Sequence, residues 1–136
     1  MRVFIDTNIL ISAALWTESN PSKAFFKAVS YPNKGIICEQ NIDEMLRVFN
    51  KKFPDRISSM EKFLSFAMLA LEFVPVPCEK NISEGQIRDV NDRPILRAAI
   101  NANADLFLTG DKDFLQSGVK NPKIISASDF LKIEFE

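Results

Sequence analysis

The chain has 136 residues, 46% of them hydrophobic and 12 of them Phe, enough to build one domain around its own core without disulfides or structural metal. Its 17 Lys and Arg stand against 18 Asp and Glu, a formal net charge of −1, which excludes a globally basic grip on nucleic acid but leaves room for a local basic patch. The lack of any His removes imidazole from every general-base, triad or zinc scheme.

Taken in order, Arg2–Ile5 is a short apolar run suited to a buried strand. The stretch from Met1 to Trp16 imitates a signal peptide, but Asp6 and Asn8 interrupt its apolar run. Ile9–Leu15 reads as a helix, and Pro21–Val29 as a second one opened by Asn20 and Pro21. Gly35–Cys38 is strand-like. Ile42, Met45, Leu46 and Phe49 then recur at i, i+3, i+4, i+7 and predict an amphipathic helix that Pro54 ends. Asp55 to about Leu71 reads as another helix. Phe73–Val76 is a brief strand, disrupted by Pro75 and Pro77 and so expected at a sheet edge. Cys78–Asp89 carries no periodicity and reads as a loop.

Ile95, Ala98, Ala99 and Ala102 define the next helix. Ala104–Thr109 is a buried strand, Gly110 turns the chain, and Asp113–Leu115 is a helical turn. Lys123–Ile125 is a last strand, followed by a helical start at Ser128–Leu131. Strands alternating with helices over 1–136 predict a single domain, a three-layer α/β/α sandwich with a mainly parallel central sheet. Most Phe residues, Phe25 and Phe26 among them, are expected in its core together with Trp16, although these three also suit a partner surface. Cys38 and Cys78 form no CxxC pair, so a reducing cytoplasmic compartment is expected. No hydrophobic run reaches the ~20 residues of a membrane span.

In open parallel sheets ligands bind beyond the carboxyl ends of the strands. Asp6 directly follows the first strand and Asp111 follows Leu106–Thr109. Asp92 opens the helix that feeds that same strand, and Glu44 lies early in the helix after Gly35–Cys38. Each acid has a plain structural reading: an Asx turn at Asp6, a solvated helix face at Glu44, an N-cap at Asp92 and a solvated turn at Asp111 and Asp113. Those readings do not explain why a parallel sheet gathers all four at one edge. Crowded carboxylates take up protons or recruit cations, and Mg2+ or Mn2+ suits oxygen ligands.

These residues also carry a resemblance. Asp6-Thr7-Asn8-Ile9-Leu10 resembles the opening motif of the PIN-domain ribonucleases. Glu44 within Asp43-Glu44-Met45-Leu46-Arg47-Val48-Phe49 resembles their second acidic position. Asp89-Val90-Asn91-Asp92 followed by Ile95-Leu96-Arg97-Ala98-Ala99 resembles the third. Ala104-Asp105-Leu106-Phe107-Leu108-Thr109-Gly110-Asp111-Lys112-Asp113-Phe114-Leu115 resembles the fourth. The likeness runs from residue 2 to about residue 131 and is greatest to the VapC-like toxin components of bacterial and archaeal type II toxin–antitoxin systems.

The resemblance implies a PIN-like, Rossmann-like fold and an endoribonuclease that cuts single-stranded RNA with Mg2+ or Mn2+. It also implies a homodimer and a cognate antitoxin protein. By position, Asp6, Glu44, Asp92 and Asp111 would be the catalytic, metal-holding acids, with Asp113 a fifth ligand and Asp89 peripheral. Asn8 and Thr109 match positions that support the acids by hydrogen bonds. Beside the acids stand Arg47, Lys51, Lys52, Arg93, Arg97 and Lys112, expected to contact the RNA backbone or, equally, to be ordinary solvated residues.

Two other readings compete. A strand-end Asp with a later Gly-Asp-x-Asp loosely resembles the haloacid-dehalogenase-like phosphatases, which place a second Asp where this chain has Asn8. A catalytically silent PIN-like module binding RNA or protein is the other, and the presence of all four acids argues against it.

Overall fold

A computed structural model describes residues 1–134. Five parallel strands form one sheet in the order β3-β2-β1-β4-β5, with β1 (Arg2–Ile5), β2 (Lys34–Cys38), β3 (Glu72–Val74), β4 (Leu106–Leu108) and β5 (Lys123–Ile125). The central strand β1 pairs with β2 through Phe4 opposite Ile36 and with β4 through Phe4 opposite Phe107. The brief strand ahead of Pro75 lies at the edge, where a missing N–H costs no ladder bond.

Alternation along the strands divides the core into two layers. Val3, Ile5, Ile37, Leu106 and Leu108 face one side. There they meet α1 (Thr7–Leu15), α2 (Asn20–Val29), α3 (Glu39–Lys52), α4 (Ile57–Ala70) and α7 (Ala127–Lys132). Phe4, Ile36, Cys38 and Phe107 face the other, against α5 (Arg93–Asn101) and the short α6 (Lys112–Leu115). The rings of Phe4, Phe107 and Phe114 stack in series at 5.4 and 4.6 Å. This is the three-layer α/β/α sandwich with a fully parallel sheet. Gly35 lets β2 approach the helices: a Cβ there would lie 2.8 Å from Val29 Cγ1 and 2.9 Å from Leu71 Cδ2.

Several local expectations change. Ser19, not Asn20, caps α2, its Oγ accepting the Ser22 N–H at 3.3 Å. Pro54 opens a 3-10 turn, Pro54–Arg56, so the following helix begins at Ile57 rather than Asp55. Leu46 is 37% exposed, while Asn41 takes the buried helix position alongside Met45 and Phe49. Phe25 is in the core as expected, but Phe26 on α2 and Trp16, just past the end of α1, are exposed. Among the described residues no helix is long and apolar enough to cross a membrane.

The Cys78–Asp89 stretch is built around Glu84. Its carboxylate forms an ion pair with Arg97 on α5 through two contacts of 2.8 Å and accepts the Asn81 N–H at 3.0 Å. The Arg97 guanidinium also reaches the Pro77 carbonyl at 2.9 Å, fixing the start and the middle of the segment to one helix.

Candidate active site

The chain crosses from one face of the sheet to the other between β1 and β4, which opens a crevice at their carboxyl ends. A cleft of about 700 Å3 lies there. Asp6, Glu44, Asp92 and Asp111 line it together. The four come from the end of β1, α3, the 3-10 turn before α5 and the turn after β4, far apart in sequence and joined by the parallel topology.

Asp6 is the buried member, and its two carboxylate oxygens are separately held. One accepts the Thr7 N–H at 2.8 Å. The other accepts the Thr109 hydroxyl at 2.7 Å, while that hydroxyl oxygen accepts the Asp111 N–H at 3.0 Å. Thr7 is fixed in turn: its hydroxyl accepts from Asn41 Nδ2 at 3.0 Å, and Asn41 Oδ1 accepts the Cys38 N–H at 2.9 Å. Burial, then the charges of Asp92 and Glu44, push the Asp6 carboxyl up to about 7 against the pull of its hydrogen bonds.

Asp92 stands where an N-cap would stand but caps nothing. Its backbone, at φ −90° and ψ −12°, continues the 3-10 turn Val90–Asp92 into α5, and its side chain accepts no helix N–H. Burial raises its carboxyl to about 6, reinforced by Asp89, Glu44, Asp111 and Asp113. These charges tie the six acids into one electrostatic group. Asp111 does cap α6, one oxygen accepting the Asp113 N–H at 2.9 Å. Asp113 lies outside the cleft lining, 4.0 Å from Arg88. Asp89 is exposed and caps the turn before Asp92 through the Asn91 N–H at 2.9 Å.

Among the described residues no group of three acidic, Cys or His side chains is close enough to form a ready-made metal cage. The acids make an open wall. The donor set nevertheless suits a hard divalent cation: all the acidic donors are oxygens, and the carboxyls of Asp6 and Asp92, raised first by burial and then by their acidic neighbours, are ones a cation would help to ionise.

Asn8 accepts the Gly110 N–H at 3.2 Å, joining the turns after β1 and β4. A residue used in this way does not supply the second acid of a haloacid-dehalogenase-like site. Gln40, missed in the sequence, bridges Glu44 at 2.9 Å and the Asn91 carbonyl at 2.8 Å, so α3 is tied to the segment carrying Asp92. Its only signal is its place one turn before Glu44.

The cations separate into groups. Arg47 lines the cleft, and Lys51 and Lys52 are exposed further along α3. Lys112 is exposed beside Asp111. Arg93 donates to the Ile87 carbonyl at 3.0 Å. Arg97 does not line the cleft with the acids, and its guanidinium is occupied by Glu84 and the Pro77 carbonyl.

The sequence matches the family model described as PIN domain over residues 2–113. The chain belongs to the PIN-domain family. PIN domains are generally nucleases. No curated protein matches the sequence. Among solved structures, this PIN domain is similar to a chain in the crystal structure of VapBC2 from Rickettsia felis bound to a DNA fragment from their promoter. The two share 20% identity at a TM-score of 0.67, covering 93% of this chain and 98% of that one, a likeness of fold.

Proposed function

We propose that this PIN domain is a divalent-metal-dependent endoribonuclease that hydrolyses phosphodiester bonds in single-stranded RNA, acting as the toxin of a cytoplasmic toxin–antitoxin pair. The observation that carries the reading is the meeting of Asp6, Glu44, Asp92 and Asp111 in one cleft at the sheet's switch point, with two of the carboxyls raised toward neutrality. The likeness to a chain of the VapBC2 structure supports an antitoxin partner. The homodimer rests on the resemblance to the VapC-like toxins.

In this reading Asp6, Glu44, Asp92 and Asp111 would hold Mg2+ or Mn2+, with Asp113 close enough to adjust their charge. When bound, the metal supplies positive charge to the phosphate and makes water a competent nucleophile near neutral pH. The chain's residues do the rest. Thr109 and Thr7 fix both oxygens of Asp6, so the carboxylate cannot rotate as charge changes around it. Gln40 holds Glu44 toward the Asp92 segment. Arg47 faces the cleft as a phosphate-positioning cation, with Lys51, Lys52 and Lys112 extending a basic path outward.

The test is cleavage of a fluorescent single-stranded RNA with Mn2+, with Mg2+ and with EDTA. Metal-dependent cleavage that spares a duplex of the same sequence is expected. Retained Mn2+ binding and RNA binding without cleavage by any RNA would instead establish a silent binding module.

A further inference from the structure

The acids occupy only part of the cleft. One helical turn beyond them, about 5.4 Å along each axis, the lining becomes apolar. Ile11 follows Thr7 by four residues on α1, and Val48 follows Glu44 by four on α3. From the other element, Val90 and Pro94 flank Asp92 and line the same cleft. Val90 is 65% exposed on its 3-10 turn, so core packing does not explain an apolar side chain there.

Polar groups with hydrogen-bonding capacity to spare among the described residues accompany this apolar surface. Asn8 uses its carbonyl oxygen on Gly110, which leaves its Nδ2 for another partner. The Asn91 carboxamide engages no other described residue, and Arg47 adjoins Val48. An apolar surface, two available carboxamides and one guanidinium match a flat heterocycle with a polar edge, attached to a phosphate.

Resting on the nuclease reading above, we infer that Ile11, Val48, Val90 and Pro94 form a nucleobase subsite, which takes the base of one nucleotide adjoining the scissile phosphate. The base packs its face on the aliphatic side chains and turns its edge to Asn8 and Asn91, while Arg47 takes the neighbouring phosphate. A paired base has its faces covered by its stack, so the subsite selects an unpaired strand. Carboxamides that both donate and accept hydrogen bonds leave the choice of base broad.

The experiment scans an RNA oligonucleotide with one abasic residue placed at each position in turn. Cleavage is followed as kcat/KM, and binding by fluorescence anisotropy with Mn2+. For the wild type, an abasic residue at one position beside the scissile bond should lower kcat/KM by about tenfold, in line with the loss of one base face buried on aliphatic side chains.

Val90→Ser, at an exposed position that leaves folding intact, and Val48→Ala should lower cleavage of the intact RNA toward the abasic level. Neither should lower cleavage of that abasic RNA further. Equal cleavage of every abasic RNA, or equal losses on intact and abasic RNA in the variants, overturns the subsite. If RNA binds without being cleaved, the nuclease reading fails, and the same comparison made on binding still decides the subsite. If no RNA binds, both fall.

Discussion

The Thr109 hydroxyl donates to Asp6 at 2.7 Å and accepts the backbone N–H of Asp111 at 3.0 Å. One side chain at the end of β4 therefore sets the geometry of two acids on neighbouring strands. Thr109→Val keeps the shape and removes both bonds. It should destabilise the fold by about 1–3 kcal/mol, because a buried carboxylate oxygen and a half-buried N–H lose their partner. Mn2+ affinity, measured by calorimetry, should fall as well. Unchanged affinity in a folded variant would show that Asp6 does not need this anchor.

Metal-free Asp6 carries a cost of burial. Its folded carboxyl titrates near 7 and its unfolded one near 3.8, so the folded state binds more protons between those values. Stability then falls as pH rises from about 4 to about 7. Asp6→Asn removes the charge, and in EDTA its Tm advantage over the wild type should grow across that window, reaching on the order of 5 °C by pH 8. Melting curves at pH 4 and pH 8 check this, and a constant difference would contradict it.

Glu84 behaves in the opposite sense. Arg97 beside it, with help from the Asn81 N–H, holds its carboxyl down at about 2 against an ordinary 4.5. Its contribution is full above about pH 4.5 and disappears as pH falls toward 2. Glu84→Gln should cost about 2 kcal/mol at pH 7, as for a hydrogen bond to a charged group. The loss should shrink through that window, as read from urea midpoints.

The basic path along α3 predicts salt-dependent RNA binding. Each phosphate contact adds about 0.7 to the slope of log affinity against log salt for a single strand. Arg47→Ala with Lys51→Ala should lower that slope by about 1.4, whereas Arg97→Ala should leave it unchanged. Equal slopes in wild type and double variant would remove α3 from the RNA path.

The strands were legible because each is an apolar run bounded by turns, and the acids because each follows or feeds a strand. The structure's additions are polar residues in unexpected places. Asn41 is a polar residue four before Met45 on the buried side of its helix, and it is tolerated there because it links β2 to Thr7. Asp92 has the sequence of an N-cap, but the preceding 3-10 turn gives it helical backbone angles and frees its carboxylate. Arg97 resembles a surface cation until Glu84, thirteen residues earlier in a loop without periodicity, supplies its partner. Such pairings depend on how loops fold back, which local pattern does not encode.

The central claim is that four carboxylates from four elements act together on RNA through a bound divalent cation. The direct measurement is single-turnover cleavage of a single-stranded RNA across a Mn2+ titration, for the wild type and for Asp6→Asn, Glu44→Gln, Asp92→Asn and Asp111→Asn. Each variant should remain folded, bind Mn2+ more weakly and lose on the order of 100-fold in rate, a loss of about 2.7 kcal/mol in transition-state stabilisation. Cleavage that persists in EDTA, or that survives at the wild-type rate in two of the four variants, would contradict the account.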